Sequence, residues 1–280
     1  MHDVFPSLSL DDNKDVVSQI ADIFASIQGL KLPAGVTKFG ALTINEDGEI
    51  VDGQMPILPD GPWETYAKTW RANIQYELKN SEKEETVVRG WRPNGVRDRI
   101  EQFIAAGGVE KMLRDVDINK KVLVHGDFTT WNILFDAEGK RITALLDFDF
   151  ACVTHPCHEF FTGFQSDLGG GIPPENWELL EKAVLSGNFD KVPEGLPEEK
   201  KGLWEIAKTW DGALASRGII RPSEIAGLEG LRDLKTLVDL VCPMMLSHPM
   251  FLKRTPVEAQ EKRRGVNEDK IVQMLDKYGQ

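Results

Sequence analysis

Residues 125–132 read His-Gly-Asp-Phe-Thr-Thr-Trp-Asn, and residues 147–149 read Asp-Phe-Asp. The short apolar run Lys121–His125 leads into the first stretch and predicts a strand that ends at it. Asn132–Asp136 and Arg141–Asp147 flank the turn Ala137-Glu138-Gly139-Lys140 and predict a hairpin. Asp127 is thereby placed on a loop just past a strand end, where a ligand can reach it. Asp147 falls at the end of the hairpin's return strand.

These residue types fit one chemistry. Phosphoryl transfer needs a group to orient an acceptor hydroxyl and take its proton, and oxygens to hold the metal that bridges the phosphates. Asp127 suits the first task. Asn132, five residues on, has an amide oxygen suited to magnesium, and Asp147 offers a hard anionic oxygen. Asp149 lies two residues further, and in an extended segment both carboxylates project from one face. Like charges within the apolar run Ala144–Ala151 are unfavourable without a cation. The competing reading is structural: Asp127 and Asn132 as a turn-capping pair, and Asp147 paired with a buried arginine or histidine.

The pair of stretches resembles the aminoglycoside phosphotransferase and choline kinase branch of the protein-kinase-like superfamily. The spacing from Asp127 to Asn132 equals that of the pattern H-R-D-L-x-x-x-N, with Gly126 in place of arginine. Asp149 stands where protein kinases have the glycine of Asp-Phe-Gly. His155-Pro156 followed by Glu159-Phe160-Phe161 is similar to the continuation in fungal-type members. The resemblance implies an α+β, mostly helical fold: a kinase-like C-terminal lobe, one domain over 1–280, with short β-hairpins carrying the catalytic motifs. It implies Asp127 as catalytic base, His125 as a brace of the loop, and Asn132 and Asp147 as metal and nucleotide ligands with Asp149 assisting. ATP and magnesium are the implied cofactors, and a hydroxyl-bearing small molecule is the implied acceptor.

A nucleotide-clamping N-terminal lobe is not recognisable. No G-x-G-x-x-G precedes His125, and the nearest run, Gly35–Gly40, has its glycines five apart. Lys38 within it reads as a solvated loop lysine. The chain is therefore either a truncation, a lobe that works with another chain, or a lobe with a changed occupation. Two functions follow: a small-molecule phosphotransferase, or a catalytically silent lobe that binds a small molecule or partner. The second predicts an exposed apolar face beside Asp127 and Asp147, covered by a second copy or a partner chain.

A net charge of −12 and a pI near 5.0 exclude a general phosphate-backbone or anionic-membrane binder. The N-terminus has no signal-peptide pattern, and no apolar run approaches membrane-span length. Three cysteines fit reduced thiols and a cytoplasmic location. Cys152, His155, Cys157 and His158 lie close together but match no common zinc spacing. Trp131, between Asp127 and Asn132, is singled out as a substrate contact.

Periodicity predicts a first helix capped by Asp11 or Asp12 and closed by Gly29. A hairpin over 39–51 turns at Asp47-Gly48, and helices follow over Trp63–Leu78 and about Val96–Arg114, the latter weakened by Gly107-Gly108. After Ala151 the pattern is helical: Glu175–Leu185, Glu198–Ala215, Glu224–Leu240 and Val257–Tyr278, with Ser223 and Thr255-Pro256 as caps.

Overall fold

The computed structural model describes residues 1–161, 180, 182–192, 194, 196 and 198–279. In chain order the labelled helices are α1 (Leu10–Gln28), α2 (Tyr66–Ser81), α3 (Val96–Ala105), α4 (Gly108–Met112), α5 (Glu198–Ser216), α6 (Leu228–Val241), α7 (Met244–Ser247), α8 (Pro249–Arg254) and α9 (Val257–Lys277). The strands are β1 (Ala41–Ile44), β2 (Ile50–Gly53), β3 (Val122–Val124), β4 (Ile133–Asp136), β5 (Arg141–Leu145) and β6 (Cys152–Thr154). The chain is thus α+β and mostly helical, and among the described residues its strands form three two-stranded antiparallel ladders. The run Gly169–Gly171 and Trp177 lie outside the described residues. Of the helix expected over Glu175–Leu185, residues 182–186 are helical.

Two compact units interleave along the chain: Met1–Pro62 with Asn119–Ile225, and Trp63–Ile118 with Ala226–Gln280. The first carries all six described strands. In it α1 packs along α5, and their apolar faces enclose Val16, Val17, Ile20, Phe24, Ile206, Trp210 and Leu214. Phe24 is the hub of this core. Its ring meets Phe128 at 5.5 Å, Phe160 at 5.4 Å and Trp210 at 5.4 Å between centroids. Phe128 is the residue after Asp127, so the core grips the loop of interest directly.

Several local expectations are corrected. Ser9, not Asp11 or Asp12, caps α1: its hydroxyl accepts from the Asp12 N–H at 3.1 Å. The two aspartates lie in the first turn, where their charge complements the helix dipole. The long helix over Val96–Arg114 breaks into α3 and α4 because Gly107 takes a left-handed φ of 77°. The cap of α6 is Gly227 rather than Ser223, and the Thr255 hydroxyl bonds back to the Phe251 carbonyl instead of capping α9.

The pattern after Ala151 is not helical from the start. Cys152–Thr154 is strand β6, paired with β3 in register Val122↔Thr154. All three residues are buried, so no polar alternation marks them as a strand. The Gly40 and Val153 backbones exchange hydrogen bonds of 3.1 and 2.7 Å, which tie the first hairpin to this ladder.

The second unit is helical. Trp91 is fully buried there and donates its indole N–H to the Val241 carbonyl at 2.6 Å. Arg264 of α9 lies over the Trp91 ring at 5.2 Å.

Candidate active site

β3 delivers the chain to His125, which is completely buried. Its Nδ1 accepts the Asp127 backbone N–H at 3.3 Å, so the ring proton sits on Nε2. Nε2 then donates to the Leu146 carbonyl at 2.9 Å. His125 therefore links the turn holding Asp127 to the residue before Asp147. The Phe148 ring lies 4.7 Å from the His125 ring.

Gly126 is required by geometry. Its φ is +82°, and a Cβ there would lie 2.3 Å from the Phe150 carbonyl oxygen. The loop backbone is also held from behind by Glu159, which is buried. Glu159 accepts the His125 N–H at 2.6 Å and the Gly126 N–H at 3.2 Å. Burial pushes its carboxyl up to about 7; the backbone N–H groups of His125, Gly126 and Phe128 oppose that rise, and the Asp127 charge adds to it. In the sequence, Glu159 stands within the run 155–161 without an assigned role. A carboxylate beside the apolar pair Phe160-Phe161 was the available signal, because a buried carboxylate must find donors.

Asp127 and Asn132 are brought together. The Asn132 amide nitrogen donates to the Asp127 carbonyl at 2.8 Å and to Asp127 Oδ2 at 2.9 Å. Both partners are acceptors, so the amide orientation is fixed and its carbonyl oxygen faces away from Asp127. The Leu146 N–H donates to the Asn132 carbonyl at 2.8 Å, which sets Asp147 one residue beyond that bond.

Asp147 does not continue the strand. Its φ is +62°, an uncommon conformation for a residue with a side chain, and residues 149–150 form a turn. The expectation that Asp147 and Asp149 share a face of an extended segment is therefore corrected. So is the argument from buried like charges. Asp147, Phe148, Asp149 and Phe150 are all exposed, so water solvates both carboxylates.

The donor set nevertheless fits magnesium. Among the described residues the Asp147 and Asp149 carboxylates make no hydrogen bond or ion pair, and the Asn132 amide oxygen is unoccupied by its own loop. All are hard oxygen donors. No cluster of three His, Cys, Asp or Glu that could hold a metal occurs among the described residues.

The cysteine–histidine run has another use. Cys152 and Cys157 are buried, and burial pushes both thiols up, Cys152 to about 12. They stay protonated and inert. His155 Nδ1 accepts the Cys157 N–H at 3.2 Å and caps the short 156–160 helix.

A family model described as a phosphotransferase enzyme family matches residues 6–176. No curated protein matches the chain. Among solved structures, the gentamicin–APH(2")-IIa complex matches at 13% identity with a TM-score of 0.40, over 98% of this chain and 65% of that one. This chain thus spans less than two thirds of that chain's length.

Proposed function

The chain belongs to the phosphotransferase enzyme family, and from that premise we propose that it transfers the γ-phosphoryl group of ATP to a hydroxyl of a small metabolite. The observation that carries the reading is the clamp of Asn132 on Asp127, at 2.8 and 2.9 Å, beside the unpaired carboxylate of Asp147. Asp147 is exposed and, among the described residues, unpaired, so its carboxylate is open to a ligand.

Asn132 holds Asp127 through Oδ2 and leaves Oδ1 to receive the acceptor hydroxyl. The acceptor oxygen forms the new bond to the γ-phosphorus while the bond to the β–γ bridging oxygen breaks. ADP leaves with that electron pair, and the acceptor proton passes to Asp127. Asn132, Asp147 and Asp149 would hold magnesium, which neutralises charge on the phosphates. His125 and Glu159 fix the loop backbone, so Asp127 is positioned before substrate arrives. The three free cysteines fit a cytoplasmic setting, and among the described residues no helix is long and apolar enough to cross a membrane.

A panel of hydroxyl compounds assayed for ADP release tests the reading. Asp127→Asn is expected to lower turnover about 10²–10⁴-fold, the usual contribution of a positioned general base. Equal turnover in wild type and variant would refute the role of Asp127.

One observation favours a second reading. Leu146, Phe148 and Phe150 are 41%, 50% and 40% exposed around Asp147. That is the apolar face expected of a lobe covered by a second copy or a partner chain. In that reading the chain is a binding protein, and the face would be buried in its complex.

A further inference from the structure

Trp131 is 67% exposed, although it lies within the turn that carries Asn132. An indole left that far in water contributes little hydrophobic stabilisation. Yet the side chain is held. The His2 ring stacks on it with centroids 3.7 Å apart and planes 17° apart. The His2 ring is oriented in turn by Nδ1, 3.3 Å from Thr130 Oγ1. The segment bearing His2 is anchored by Phe5, buried in the same core cluster as Phe128 and Ile133.

One indole face is therefore covered by His2, and the exposure belongs to the rest of the ring. The turn cannot swing independently of Asp127, because Asn132 ties the two together at 2.8 and 2.9 Å. A fixed, exposed aromatic ring in the turn that Asn132 ties to Asp127 is a ready surface for a third ring. Such a ring would continue the stack already begun by His2, with the ordering cost of the indole largely met in the free protein.

We propose that the His2–Trp131 stack is a preassembled platform that binds a flat aromatic ring of the substrate next to Asp127. The assignment of that ring to a substrate rests on the phosphotransferase reading above. The ring comes either from an aromatic alcohol acceptor or from the nucleobase of the nucleotide. Both share the chemistry of a planar π face, and Trp131 then determines specificity.

Fluorine NMR titrations with fluorobenzyl alcohol, fluoroadenosine and the non-planar control fluorocyclohexylmethanol test this, without added nucleotide or metal. At least one aromatic probe is expected to bind the wild type, and the cyclohexyl control to bind more weakly. Trp131→Leu, which keeps apolar bulk without a ring, should weaken that probe about 5–100-fold, as expected for loss of ring stacking. Trp131→Phe should stay within about threefold of wild type, since the π face remains. His2→Ala should weaken binding by an intermediate factor. Whichever probe responds identifies the source of the ring. Absence of binding by both aromatic probes at millimolar concentration overturns the proposal. So does binding that Trp131→Leu leaves unchanged, which assigns Trp131 to anchoring the N-terminal segment. A parallel Mg·ADP titration separates the two claims. Loss of Mg·ADP binding with ring binding intact refutes the phosphotransferase reading, and the reverse pattern refutes the platform.

Discussion

At the scale of single residues, Glu159 carries the most testable physics. Its carboxyl rises from an ordinary value of 4.5 to about 7 because burial penalises the charged form. Between those values the folded state holds a proton that the unfolded state has released. Stability must therefore fall as pH rises through that window and level off above about 7. Denaturant titrations of wild type minus Glu159→Gln should show this decline between pH 5 and pH 7; a flat difference would contradict it. Glu159→Ala should cost about 1–3 kcal/mol for each orphaned backbone N–H, seen as a lower denaturation midpoint. The site's polar residues were legible in the sequence because their types and spacing carry the chemistry. Their environment was not. The apolar letters around Asp147 suggested burial, but a left-handed Asp147 turns the run into solvent, and a backbone angle leaves no mark in composition. Glu159 and His2 were missed for a related reason: each acts on the loop from far along the chain.

At the scale of elements, the loop carrying Asp127 depends on α1 and α5 through the Phe24 hub. Phe24→Ala removes ring contacts to Phe128, Phe160 and Trp210. It is expected to destabilise the fold by about 3–5 kcal/mol in denaturant unfolding, as for other buried aromatics. A cost below about 1 kcal/mol would mean that the core does not grip the loop as described. In the helical unit, a Cβ at Gly230 of α6 would sit 1.9 Å from the Met112 carbonyl oxygen of α4. Gly230→Ala should therefore lower Tm by forcing two backbones apart, and an unchanged Tm would show that the helices can separate freely. Amphipathic period made α1, α2 and α9 legible, and turn chemistry made both hairpins legible. Strand β6 has three residues and no alternation, while α7 and α8 are each shorter than two turns, so no period could announce them.

At the scale of the molecule, the match over residues 6–176 places the chain in its family, and the motif pair within it made that family legible. The interleaving of two compact units is carried instead by contacts between segments far apart in sequence, which local pattern does not record. The exposed Leu146, Phe148 and Phe150 raise the question of what covers them. If a second copy does, light scattering should give twice the monomer mass of 31.4 kDa, and Phe148→Asp should restore the monomer. A wild-type monomer at all concentrations would leave self-association without support. The central claim is that Asn132, Asp147 and Asp149 hold a magnesium–nucleotide complex beside Asp127. Calorimetric titration of the whole chain with ADP, with and without magnesium, tests it most directly. Magnesium-dependent binding that Asp147→Ala abolishes is expected. Wild-type protein that binds neither nucleotide nor magnesium at millimolar concentration, or binds them equally well after Asp147→Ala, would contradict it.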